Sequence, residues 1–221
     1  MGRDDWYRRS NWTDVDREEF FKRLNRSRSD SNKHQYTAIQ GRYLLEAGIV
    51  EPAIELILMA VTEWPDPIFM ASSHLALAHC YSAIQNREKA IQHFRESLAW
   101  EGRIPQVQTD APLDFTWFVL ENQIDELYEE AEKALNTRSD EHYSTFPIGQ
   151  YQASGARAIL SWIRGDHKDA QRYARDAINA AAMTESRFRY HRDLGLVGEQ
   201  SGPLHERLIE LAGRSAGSAE D

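Results

Sequence analysis

The chain has 221 residues, of which 41% are hydrophobic, 28% charged and 10% aromatic, and its formal net charge is −9. Six Trp, nine Tyr and eight Phe exclude a disordered chain, which lacks the apolar surface to fold, and the negative sign excludes a global electrostatic grip on nucleic acid. No apolar run reaches the roughly 18 residues of a membrane span, and the single cysteine, Cys80, has no intrachain disulfide partner, so a soluble cytoplasmic protein is expected.

The charge is spread unevenly. Residues 1–33 hold nine Lys/Arg against seven Asp/Glu, while residues 110–141 hold ten acids against Lys133 and Arg138. In chain order, "NWTDVDREEFFKRL" (11–24) predicts a capping helix. Thr13 is its N-cap, acids fill the first turn, and Phe20, Phe21 and Leu24 form the apolar face. The polar "RLNRSRSDSNK" (23–33) reads as a linker, so that 1–33 forms an N-terminal cap. Residues 34–67 then carry small residues and a proline at Gly41, Ala53, Ala60 and Pro65.

Residues 71–104 give the clearest pattern. Leu75, Leu77, Ala78 and Tyr81 suit one face of a first helix, and Ala90, Ile91, Phe94 and Leu98 one face of a second, with Asn86 at the turn between. Residues 111–138 read as a degenerate helical pair with a short first helix. In 151–184, Ala158, Ala170 and Ala177 take the small positions and Gly165-Asp166 makes the turn. The remainder, 185–221, holds the basic-aromatic "RFRYHRD" (187–193), a short helix over 202–213 with Pro203 near its start, and a frayed tail from 214.

Helix pairs of this length need neighbours to cover their apolar faces, which points to internal repeats. On these residues the chain resembles tetratricopeptide-repeat (TPR) proteins. Leu77, Ala78, Tyr81, Ala90 and Phe94 stand at that pattern's Leu, Gly, Tyr, Ala and Phe, with His74 in place of its Trp and Gly102 in place of its Pro. Ala53 and Ala90 are 37 apart, and the extra residues beyond the family's period are placed in "WPDPIF" (64–69). The tail "FRYH…GLV" resembles that of uncharacterised bacterial members. The resemblance implies an all-α array of helix-turn-helix repeats, an α-solenoid, with a concave face lined by first helices. It implies that Gln35, Arg42, Glu46, His79, Ser82, Gln152 and Trp162 face inward. The clamp with which a TPR subfamily holds chaperone C-termini is missing, because Ala38, Arg42, Leu75, Ala76 and His79 occupy its places.

Catalytic motifs do not assemble. His191-Arg192-Asp193-Leu194 spells the start of a kinase catalytic loop, but position 198 is Gly where that loop has Asn, and no glycine-rich loop or D-F-G occurs. His74 and His79 are five apart, on different helix faces, so they make no zinc pair. Neighbouring His79 and Cys80 diverge by about 100° on a helix. No nucleophile elbow and no phosphate loop is present. Within "RFRYHRD", Arg187, Arg189, Tyr190, His191 and Arg192 have the composition of a binding hot spot, or of an internal clasp onto the chain's own acids. The acidic run 121–132 is a solvated helix face or a lure for a basic partner.

The expectation is a non-enzymatic module that binds a protein or peptide, with no cofactor, metal or membrane. The alternatives are an immunity-type inhibitor of a basic enzyme, an enzyme with its site near 187–193, and nucleic-acid binding through the basic-aromatic ends. Arg42, Glu46, His79, Trp162 and the cluster from Arg187 to Arg192 are the candidate contacts.

Overall fold

A computed structural model describes residues 5–186 and 188–213. Among them the chain is all-helical, with eleven α-helices, two short 3-10 turns and no strand, and it divides into two compact units, Met1–Ala111 and Pro112–Asp221. The first unit holds a 3-10 turn (Asp5–Tyr7), α1 (Asp14–Leu24), α2 (Asp30–Glu46), α3 (Val50–Glu63), α4 (Pro67–Ala83) and α5 (Arg87–Arg103). The second is built on α6 (Ala111–Glu121), a 3-10 turn (Asp125–Leu127), α7 (Tyr128–Leu135), α8 (Asp140–Tyr143), α9 (Pro147–Ile163), α10 (His167–Ala181) and α11 (Pro203–Gly213). Among the described residues no helix is long and apolar enough to cross a membrane.

Helix α1 starts as its sequence dictates. The Thr13 side chain accepts from the Asp16 amide, and the Asp16 carboxylate accepts from the Thr13 amide 3.0 Å away, closing a capping box. Phe20 and Leu24 are fully buried. The polar stretch 23–33 is not all linker. Ser29 caps α2 by accepting from the Asn32 amide, which confines the connection to residues 25–29. Sequence periodicity misses this start because the buried face of α2 is His34, Thr37, Gln40, Gly41 and Leu44, with a single aliphatic side chain. Gln40 is satisfied by two bonds to the Arg9 backbone, donating to its oxygen at 2.7 Å and accepting from its nitrogen at 3.0 Å.

One turn recurs four times. Helices α2, α4, α6 and α9 each end in a residue with positive φ: Gly48 (76°), Gln85 (57°), Gln123 (51°) and Gly165 (79°). In each case the next amide reaches back to the carbonyl five residues earlier: Ile49 to Leu44, Asn86 to Tyr81, Ile124 to Val119, and Asp166 to Ser161, at 2.8–3.0 Å. This is the Schellman closure, which satisfies carbonyls that the helix end leaves open. That next residue is also the N-cap of the following helix or turn, with φ between −94° and −85° and ψ between 73° and 80° in all four places. Four first helices are therefore joined to their successors by the same geometry, as a helical repeat requires. The third pair, degenerate in sequence, keeps the turn.

The small residues sit where helices meet. Ala53, Ala60, Ala78, Ala90, Ala158, Ala170 and Ala177 are all inaccessible to solvent. A Cβ on Gly41 would stand 2.5 Å from Ile57 Cγ1, so α2 and α3 approach through a missing side chain. Of the stretch "WPDPIF", residues 64–66 are loop and 67–69 open α4. Only residues 64–66 join α3 to α4, and α2, α4, α5 and α9 are each 17 residues long.

Candidate functional site

The second unit carries an open cleft of about 460 Å³. Two first helices supply its walls at helical spacing: Trp117, Leu120 and Glu121 from α6, and Ile148, Tyr151 and Gln152 from α9. Each set is i, i+3, i+4, the spacing that places three side chains on one face. Residues 200–205, leading into α11, complete the rim.

The floor is a fixed aromatic assembly. The Trp117 indole N–H donates to the Gln152 carbonyl at 3.0 Å, and its ring stacks on Tyr151 at 5.9 Å and 23°. The Tyr151 hydroxyl meets His205 Nδ1 at 2.9 Å, tying α9 to α11, and burial pushes its phenol above the ordinary value. Gly155 makes room for this: a Cβ there would stand 3.0 Å from Leu208 Cδ1 and 3.1 Å from Trp117 Cζ2. Glu121 is the one acid among the lining residues, and no Lys or Arg lies among them. Its carboxylate makes no hydrogen bond or ion pair with another described residue, and desolvation raises its pKa above the usual carboxylate value.

The connection from α10 to α11 is pinned beside this cleft. The Ile148 amide donates to the Gly195 carbonyl at 2.9 Å. Gly195 has φ 70° and lies so close to Phe146 that a Cβ would fall 2.5 Å from Cδ1 of that ring. Phe188 stacks on Phe146, with ring centroids 5.1 Å apart.

The residues expected from sequence are dispersed. Arg42 and Glu46 are exposed on α2, and His79 is exposed on α4 with its ring edge toward Phe94. Trp162 is half-buried between the His167 ring at 4.3 Å and the Arg207 guanidinium at 4.6 Å. Gln152 is the implied inward residue that lines the cleft.

Around "RFRYHRD", Arg187 lies outside the described residues. The rest forms a loop closed on itself: the Ser186 amide donates to the Arg192 carbonyl at 2.6 Å and the Ser186 hydroxyl to the His191 carbonyl at 2.7 Å. Arg192 pairs with Glu185 at 3.0 Å, and Arg189 lies over Tyr190, which is 84% exposed. Trp117, Glu121, Tyr151 and His205 were not singled out in the sequence. Trp117 and Glu121 on α6 and Tyr151 on α9 belong to i, i+3, i+4 sets with Leu120, Ile148 and Gln152 that hint at one face on each helix, but nothing local joins the two helices to each other or to His205 on α11.

The first unit buries a histidine seam. His34 Nδ1 is 2.9 Å from the Trp64 carbonyl and Nε2 is 2.8 Å from Ser73 Oγ. A carbonyl only accepts, so Nδ1 carries the proton and Nε2 accepts from the serine. This is the arrangement of a serine and its base, but Ser73 is 1% exposed and its Oγ is closed to substrate. His74 and His93 meet through their Nδ1 atoms at 3.1 Å, and Tyr81 lies parallel to His93 at 5.3 Å. Burial, reinforced by the neighbouring imidazoles, pulls both down to about 4. Burial likewise pushes the Cys80 thiol up to about 12. Among the described residues no three His, Cys, Asp or Glu side chains are gathered to hold a metal ion.

No family model, curated protein or solved structure matches this chain.

Proposed function

We propose that the chain is a TPR-like repeat array, an α-solenoid, that works as a non-enzymatic binding module, with the cleft between α6 and α9 holding a segment of a partner protein or peptide. The carrying observation is the cleft itself, an open space of about 460 Å³ with aromatic and apolar walls and a few polar groups, the composition of a recognition site. It lies between first helices of two pairs, which is where a repeat array presents its binding face. The four equivalent turns at Gly48, Gln85, Gln123 and Gly165 support the repeat assignment. A cytoplasmic setting belongs to the same proposal, on the ground that the single cysteine has no intrachain disulfide partner.

A second reading is favoured by the exposed acids beside the cleft. Asp125, Glu126 and Glu129 are all solvent-facing, and an immunity-type inhibitor would use such a surface to cover a basic enzyme.

The test is selection of a random peptide library displayed on phage against the immobilised protein. Enrichment of related sequences is expected, and it should vanish for Leu204→Glu and for the milder Glu121→Arg, both checked by circular dichroism for native helicity. Failure to enrich any sequence, or equal enrichment on the folded variants, overturns the proposal.

A further inference from the structure

The cleft has a specific polarity. Its floor offers the half-buried Trp117 ring, held in place by the bond to the Gln152 carbonyl and backed by the Tyr151 ring, which is 2% exposed. Its rim offers one carboxylate, Glu121, and among the lining residues no Lys or Arg. The polar groups of the two rings are occupied within the unit, the indole N–H by Gln152 and the phenol by His205. What remains for a ligand is the open part of the Trp117 π surface and a carboxylate with no partner among the described residues.

We infer that the cleft selects a basic side chain, with the cation of a partner's arginine or lysine held between the Trp117 ring and the Glu121 carboxylate. This rests on the binding reading above and names the chemistry it recognises. Aromatic faces attract cations through the ring quadrupole, and the attraction grows as water is excluded. A carboxylate completes the match as a charge-assisted acceptor, best used by the fork of a guanidinium. The Glu121 side chain is exposed, so an arriving cation reaches its carboxylate directly from solvent. The exposed acids that follow Gln123 of the cleft lining favour the same sign: Asp125, Glu126 and Glu129 face solvent, so a basic segment is drawn toward the cleft before it docks.

The probe is N-acetyl-arginine amide, compared with N-acetyl-citrulline amide, which has nearly the same shape and no charge. The readout is the indole N–H resonance of Trp117, assigned with Trp117→Phe, in the intact protein. We expect a saturable shift with the arginine compound at millimolar concentration, at least a fivefold weaker response with citrulline, and a similar weakening by Glu121→Gln at unchanged melting temperature. Equal shifts from both compounds, or none from either, overturn the inference. If a peptide library still enriches on the cleft while blocked arginine fails, the cation preference is removed and peptide binding stands. If both fail, both fall.

Discussion

Four side chains in the first unit make the energetics concrete. Thr37 Oγ1 is buried with no hydrogen-bond partner among the described residues, and an unpaired buried hydroxyl costs about 1–3 kcal/mol. Thr37→Val keeps the shape and removes the polar atom, so it is expected to raise the urea midpoint; a lowered midpoint would show that the hydroxyl is satisfied. Cys80 is fully buried and its thiol is held near 12, so Ellman's reagent should modify the native protein only as fast as it unfolds, and rapid native labelling would contradict the packing of α4. His74 and His93 titrate near 4 when folded and near 6.5 when unfolded. As pH falls the unfolded chain therefore takes up protons first. The stabilisation is complete above pH 6.5 and is lost between there and pH 4, on the order of 3 kcal/mol per ring before coupling. Urea midpoints that coincide at pH 7.5 and pH 5.0 would refute this.

At the scale of elements, the fold depends on close helix contacts and on four turns. Gly41→Ala drives a Cβ to 2.5 Å from Ile57, and Ala90→Leu overfills a site with no exposed surface; each should cost roughly 1–3 kcal/mol in a urea titration, and an unchanged midpoint would place the contact elsewhere. Much of this was readable in the sequence. The alanines at 53, 60, 78, 90, 158, 170 and 177 marked the pairs, Asn86 and Gly165-Asp166 marked two turns, and Thr13 marked the start of α1. The start of α2 was not readable, because a buried face made of His34, Thr37 and Gln40 carries no hydrophobic period. The third pair was obscured because it is short: α6 has 11 residues, and its successor is a 3-10 turn followed by the 8-residue α7. Nor could the cleft be read. Tyr151 and His205 are 54 residues apart, and no local pattern says that they touch. The basic-aromatic cluster was conspicuous in composition, yet its Arg192 pairs with Glu185, seven residues away.

For the whole molecule, the two units contribute differently. The first encloses its polar groups, with His34, Ser73, His74 and His93 all buried, whereas the second leaves an aromatic and acidic cleft open. Binding by the second is the central claim. Its most direct test is backbone hydrogen exchange followed by mass spectrometry, on the intact protein with and without a peptide selected from the library. The account predicts that the peptide slows exchange in 117–121, 148–152 and 200–205 and leaves α2–α5 unchanged. Slowed exchange confined to α2–α5, with the cleft segments unaffected, would contradict it.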